Sequence, residues 1–155
     1  MEIKNYLKQL NINFKEYKHL PVFTVEEAYK YREKIRGIPS KTLFLKDRKS
    51  KRFYLIIIRA NKKLDTEKYE NLFNEKLKFA NENDLKNVLE VRGGAVSPFG
   101  LINDKKSTVK AGINKEIWEP DYVIFHLNVN IETLELKKED LHKHIESLKN
   151  EMIVT

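Results

Sequence analysis

The segment RFYLIIIRA (52–60) constrains the fold more than any other stretch of this chain. Six residues in a row, Phe53 to Ile58, are apolar, and five of them are aromatic or β-branched. The run is too short to cross a membrane and lacks the alternation of a half-exposed strand. It therefore predicts a central strand covered on both faces. The preceding segment KTLFLKD (41–47) reads as a strand as well, and the polar DRKSK (47–51) between them reads as a turn. Together they predict a hairpin with the apolar strand inside the sheet.

The rest of the chain supplies the cover. Ile3, Leu7 and Leu10 fall at helical spacing, and residues 12–19 read as a strand. Thr24 and Glu27 form a capping-box pattern that opens a helix over 25–35, closed by Gly37 and Pro39. Asp65 or Thr66 caps a short helix to Phe73, 77–80 is a short strand, and Asn81 or Asn83 opens a helix through Leu89. RGGAVSPFG (92–100) breaks regular structure. Strands follow around 108–113, 121–127 and 131–136, and a closing helix over 138–149 buries Leu141, Ile145 and Leu148. The order is irregular rather than strictly alternating. It predicts an α+β fold, one domain over 1–155, with a mixed central sheet flanked by helices and not a doubly wound dinucleotide-binding fold. With 155 residues and 41% apolar content, a packed core is expected.

The 30 basic and 23 acidic residues give a net charge of +7, and its placement is uneven. Nine basic residues and one acid, Asp47, lie between Lys41 and Lys63, so the rest of the chain is close to balanced. A concentrated basic strip suits a polyanion such as nucleic acid, because neutralised phosphates release counterions. An exposed hairpin tip accounts for the same residues. No segment has the length of a membrane span and the N-terminus lacks a signal-peptide core, so a soluble, cytoplasmic protein is expected.

Several chemistries are excluded. There are no cysteines, hence no disulfide, thiolate nucleophile or cysteine-ligated zinc. Gly93, Gly94 and Gly100 lack the spacing of a nucleotide-binding loop. Ser97, in Val-Ser-Pro, lacks the flanking glycines of a nucleophile elbow. His142 and His144, two apart on a helix, are about 200° apart around its axis and cannot share a metal; they read as two surface histidines. No metal or cofactor is expected. In FHLNVN (125–130), alternation puts Phe125, Leu127 and Val129 on the core face and His126, Asn128 and Asn130 on the other. That second row faces solvent or lines a pocket. Lys41, following Pro39 and Ser40 at the head of a strand, is a rigidly placed cation.

Four segments then carry a resemblance: HLPVFTVEEA (19–28), SKTLFLKD (40–47), GGAVSPFGLIND (93–104) and HLNVN-x-x-T (126–133). In this order, over nearly the whole chain, they resemble the YbaK/prolyl-tRNA-synthetase-associated family of aminoacyl-tRNA trans-editing proteins. The freestanding alanyl-tRNA(Pro) deacylases of the PrdX or ProX type are most similar. The resemblance implies that family's mixed, partly barrel-like fold and hydrolysis of alanine wrongly esterified to proline tRNA. It implies that Lys41 engages the terminal adenosine phosphate or the ester region. Gly94 to Gly100 would shape the amino-acid pocket and present backbone amides, with Gly94 and Gly100 as catalytic positions and Val96, Pro98 and Phe99 at the rim. Thr42, Ser97, His126 and Asn130 would complete the substrate contacts. Arg48, Lys49, Lys51 and Arg52 at the turn would guide the tRNA.

The implied partner is the acceptor end of tRNA(Pro) carrying alanine, with prolyl-tRNA synthetase or an elongation factor as transient partners and no membrane. Two positions depart from the family pattern. Thr42 stands where many alanine-specific members have Asn, and Leu127 where Pro is common. Thr42 keeps a YbaK-type cysteinyl-tRNA(Pro) deacylase open as an alternative, beside a non-catalytic tRNA or amino-acid binding module.

Overall fold

A computed structural model describes residues 3–18, 36–49, 51–92, 95–128 and 132–155; of Lys18, Leu127 and Asn128 only the backbone is described. The elements run α1 (Ile3–Gln9), β1 (Phe14–Lys18), β2 (Ile38–Asp47), β3 (Phe53–Arg59), α2 (Thr66–Phe73), β4 (Leu77–Phe79), α3 (Glu82–Asp84), a π-type turn (Leu85–Leu89) and a 3-10 helix (Pro98–Asn103). They continue with β5 (Lys110–Ile113), α4 (Lys115–Trp118), β6 (Tyr122–Asn128), β7 (Glu132–Lys137), α5 (Lys138–Ser147) and β8 (Met152–Val154). The helix expected over 25–35, with its Thr24–Glu27 capping box, lies outside the described residues.

The strands form one mixed sheet ordered β1-β7-β6-β2-β3-β5-β8, with β4 paired to β2. The β2–β3, β2–β4, β6–β7 and β1–β7 ladders are antiparallel; β2–β6, β3–β5 and β5–β8 are parallel. This is the α+β arrangement that the irregular element order predicts.

The apolar run behaves as its composition demands. Every residue from Tyr54 to Ile58 is buried. Leu55 and Ile57 join the larger core with Phe44, Phe99, Val109, Val123, Phe125, Leu134 and Leu141. Tyr54, Ile56 and Ile58 join a second core with Leu45, Tyr69 and Leu77. Alternation along one strand thus feeds two cores, one on each face. Burying each such side chain contributes roughly 1.5–3 kcal/mol.

Local signals explain α2 and α3. Asp65 caps α2, its carboxylate accepting from the Lys68 amide at 3.2 Å, and Asn74 ends the helix in the left-handed region. Asn81 and Asp84 form a reciprocal capping box at α3. The helix expected through Leu89 is present, with its last five residues, Leu85–Leu89, wound as a π-type turn. Its end is tied down by Asn103, whose side-chain amide donates to the Leu89 carbonyl at 2.9 Å. Within the stretch 92–100 expected to break regular structure, Pro98 starts a 3-10 helix that runs to Asn103. Two short elements escaped the sequence reading, α4 and the edge strand β8.

Candidate functional site

Parity along the strands sorts the expected site residues onto two faces. On β2, Thr42 shares its side with Phe44 and pairs with Ile57, which places it on the larger-core face. Lys41 shares its side with Leu43 and Leu45 and pairs with Ile58, on the opposite face. On β6, Val123 and Phe125 point into the larger core, so Ile124 and His126 take the other side. The parallel β2–β6 ladder pairs Ile38 with Val123 and Pro39 with Ile124. Lys41 and His126 each stand two residues beyond that last rung, on neighbouring strands and on the same face.

Two buried contacts fix this corner. Ser40, one residue before Lys41, donates its hydroxyl to the Ile124 carbonyl at 2.6 Å. Glu135, buried on β7 opposite Ile124, accepts from the backbone amides of Arg36 (2.7 Å) and Gly37 (2.9 Å). Gly37 itself is sterically required, since a Cβ there would lie 2.7 Å from the Ile124 side chain. Lys41 begins three residues into β2 rather than at its head. It is half-buried, and no carboxylate pairs with it among the described residues.

His126 is exposed, and its Nδ1 lies 3.2 Å from the hydroxyl of the buried Thr133 on β7. The β6–β7 register shifts between His126 and Asn128, a bulge. An inserted residue of this kind changes the pairing of the strand beyond His126. Asn130 and Gly94 lie outside the described residues.

The 95–103 segment packs on the other face. Val96 is half-buried against the larger core. Ser97, Pro98 and Phe99 are buried. Phe99 is not a rim residue: its ring is fully enclosed, edge-on to Phe125 at 5.3 Å and tilted against His144 at 4.8 Å. Its size and apolarity draw it into the core, so it supports the segment from beneath. Pro98 likewise forms wall rather than rim. Gly100 is buried and its amide donates to the Ser97 carbonyl at 3.1 Å, so that N–H closes the 3-10 turn rather than facing a ligand. Nor is Gly100 needed for space, since a Cβ would meet Leu89 at an ordinary 3.6 Å.

The sequence reading missed His144. It is fully buried, with Nε2 3.0 Å from the Pro98 carbonyl oxygen and its ring edge-on to Tyr6 at 5.6 Å. Burial pushes its pKa down to about 4 against the opposing pull of that carbonyl, so the ring is neutral at physiological pH. The signal was available: Leu141, His144 and Ile145 share one stripe of α5. His142 is half-buried, stacked on Trp118 at 3.6 Å, and is not a free surface side chain either.

The basic hairpin is partly neutralised. Lys46 is buried and paired with Asp84 at 2.7 Å, Arg52 is paired with Glu75 at 2.8 Å, and Arg59 with Glu116 at 3.5 Å. The buried Asp47 shapes the turn, accepting from the amides of Lys51 (2.7 Å) and Arg52 (3.0 Å). The Arg52 amide, with that of Lys51, holds its carboxyl below the usual range despite burial. Arg48, Lys49 and Lys51 are exposed, without a carboxylate partner among the described residues. No group of three or more metal-ligating side chains gathers among the described residues, and no helix there is long and apolar enough to cross a membrane.

Chemically, the corner offers a cation from β2, an imidazole from β6 and a hydroxyl from β7 on one face of three neighbouring strands. That set can hold a phosphate or ester oxygen and orient a water. Comparison with known proteins gives the same direction. The chain is 34% identical to the prolyl-tRNA editing protein ProX of Acetoanaerobium sticklandii, over 91% of this chain and 87% of that protein. It is 31% identical to prolyl-tRNA synthetase associated domain-containing protein 1 of Danio rerio, over 99% of this chain and 84% of that protein. A solved structure described as a candidate trans-editing enzyme for prolyl tRNA synthetase shares the fold, with a TM-score of 0.72 at 15% identity over 98% of this chain and 92% of that one. The family model of the aminoacyl-tRNA editing domain matches residues 19–144. The chain belongs to the aminoacyl-tRNA editing domain family.

Proposed function

We propose that this protein is a trans-editing deacylase that hydrolyses the ester of alanine mischarged onto tRNA(Pro), acting in the cytoplasm on tRNA released by prolyl-tRNA synthetase. The observation that carries the reading is the placement of Lys41 and His126. They stand two residues past the last β2–β6 rung, on one face, in a chain of the editing-domain family. Lys41 holds the terminal nucleotide as a compact cation, without a competing carboxylate among the described residues. His126, steadied by Thr133, faces the same space.

An aminoacyl ester is already activated and carries a vicinal ribose hydroxyl. Positioning and a few fixed dipoles suffice, and the ribose hydroxyl orients or activates the water. Selection is by size: a synthetase site built for proline rejects alanine by only about 1–3 kcal/mol, so a second site that admits alanine and excludes proline complements it. Exposed Arg48, Lys49 and Lys51 draw in the tRNA backbone.

The test is a deacylation panel of alanyl-, cysteinyl-, seryl- and prolyl-tRNA(Pro), with Lys41→Ala alongside. The reading predicts turnover of alanyl-tRNA(Pro), sparing of prolyl-tRNA(Pro) and a large loss with Lys41→Ala. Preferred turnover of cysteinyl-tRNA(Pro) would move the substrate to the YbaK type. Tight binding without turnover of any member would leave a binding module.

A further inference from the structure

We infer that His144 is a positioning residue for the segment that carries Ser97 to Gly100. It lies on α5, 46 residues further along the chain than the carbonyl it holds. Nε2 is 3.0 Å from the Pro98 oxygen, a pure acceptor, so Nε2 carries the proton and Nδ1 is the bare nitrogen. Nδ1 is buried and has no partner among the described residues, and the same is true of the Ser97 hydroxyl one residue before Pro98. Leaving a buried polar atom unpaired is costly, and two such atoms flank one hydrogen bond.

The ring is also clamped. Phe99 lies at 4.8 Å on one side and Tyr6 edge-on at 5.6 Å. The Tyr6 hydroxyl is 2.6 Å from that of Ser147, which in turn donates to the His144 carbonyl at 2.6 Å. His144 therefore cannot swing away to satisfy Nδ1 without breaking this frame. A leucine or phenylalanine would fill the same stripe of α5 with no unpaired nitrogen. What the imidazole adds is one N–H aimed at the Pro98 carbonyl, which sets the entry to the 3-10 helix closed by the Gly100 amide on Ser97. The link to deacylation rests on the editing function proposed above and on the part in its amino-acid pocket that the resemblance implies for this segment.

The test combines three measurements on the full chain. Nitrogen NMR of the wild-type imidazole is expected to show Nε2 protonated and Nδ1 bare; the reverse tautomer overturns the inference. In His144→Phe, amide exchange at Gly100 is expected to rise by about tenfold or more as the turn loosens, and to recover in His144→Gln, which can place an N–H near the same point. Unchanged exchange overturns it. In deacylation of alanyl-tRNA(Pro) well below the melting temperature of each variant, kcat should fall about tenfold or more in His144→Phe with KM nearly unchanged, and return in His144→Gln. A kcat that follows thermal stability alone, or stays at the wild-type value while Gly100 exchange rises, overturns the positioning role. Inactivity of the wild type would reject the editing function, while the first two measurements still decide what His144 holds.

Discussion

Ser40 and Ile124 are joined by a buried hydrogen bond, hydroxyl to carbonyl at 2.6 Å, at the point where the β2–β6 ladder ends. The bond continues the ladder by one side-chain rung and sets where Lys41 emerges. Ser40→Ala removes the donor and leaves the Ile124 carbonyl buried without it, which costs about 1–3 kcal/mol. Urea denaturation of the variant should show that loss. Deacylation should fall too, since the cation one residue on is no longer pinned. Ser40→Thr, which keeps the hydroxyl, should retain more activity than Ser40→Ala.

Acid should act on this fold through His144 before it acts on the carboxylates. The folded-state pKa is about 4 against an ordinary 6.5, so the unfolded chain binds the extra proton between those values. Stability is therefore full above pH 6.5, falls as the pH drops towards 4 and levels off below. A displacement of that size corresponds to about 3 kcal/mol. Denaturation measured at pH 7 and pH 4.5 should reveal most of the loss in wild type and much less in His144→Phe. The depressed carboxyls of Asp47 and Asp84 act in a lower window, below their ordinary 3.8, where their contribution is lost as the pH falls further.

Asp84 serves two structures at once. Its carboxylate accepts from Lys46 at 2.7 Å and from the Asn81 amide at 2.9 Å. Burial works against its charge, and these two contacts outweigh it, holding the pKa below the usual value. Asp84→Ala strips the capping box and leaves the Lys46 ammonium largely buried and unpaired, so a cost of about 2–4 kcal/mol is expected. The variant Lys46→Met, which removes the buried charge while keeping the stem, should cost less than Asp84→Ala in the same thermal melt.

Charge at the hairpin should govern tRNA capture rather than chemistry. Replacing Arg48, Lys49 and Lys51 together by Gln should weaken tRNA(Pro) binding and flatten its dependence on salt by up to about 2–3 phosphate contacts, at roughly 0.7–0.9 in log–log slope each. Single-turnover hydrolysis at saturating enzyme should stay near the wild-type rate. An unchanged salt slope would make the turn a solvated tip.

Much of this fold was legible because the informative residues act locally. Asp65 and Asn81 announce helix starts through their own side chains, and Phe53 to Ile58 declare two-sided burial by composition alone. The features that escaped depend on distant partners. β8 has only three residues and exists through its ladder with β5. The π-type winding of Leu85–Leu89 is tied at its end by Asn103, fourteen residues on. The β6 bulge hides within a pattern that alternates perfectly on paper. Within the site, Lys41 could be singled out by its place after Pro39 and Ser40 at the start of a strand, and His126 by strand parity, both properties of the sequence. That Phe99 sits beneath the segment, and that Gly100 closes its own turn, depends on α5 and β6 packing against it. The charge argument also shrank for a spatial reason: Glu75, Asp84 and Glu116, all outside the basic stretch in sequence, return to neutralise Arg52, Lys46 and Arg59.

Because β3 alternates its side chains between two cores, it ties those two cores into one unit. A fluctuation that frees Ile56 from the side under α2 disturbs the same backbone that holds Leu55 and Ile57 against Phe44 and Ala111. Neither half can melt while the other keeps its register, so the corner bearing Lys41 draws on the cooperativity of the whole sheet. A rigid corner of this kind suits the size selection proposed above, where a breathing wall would admit both amino acids.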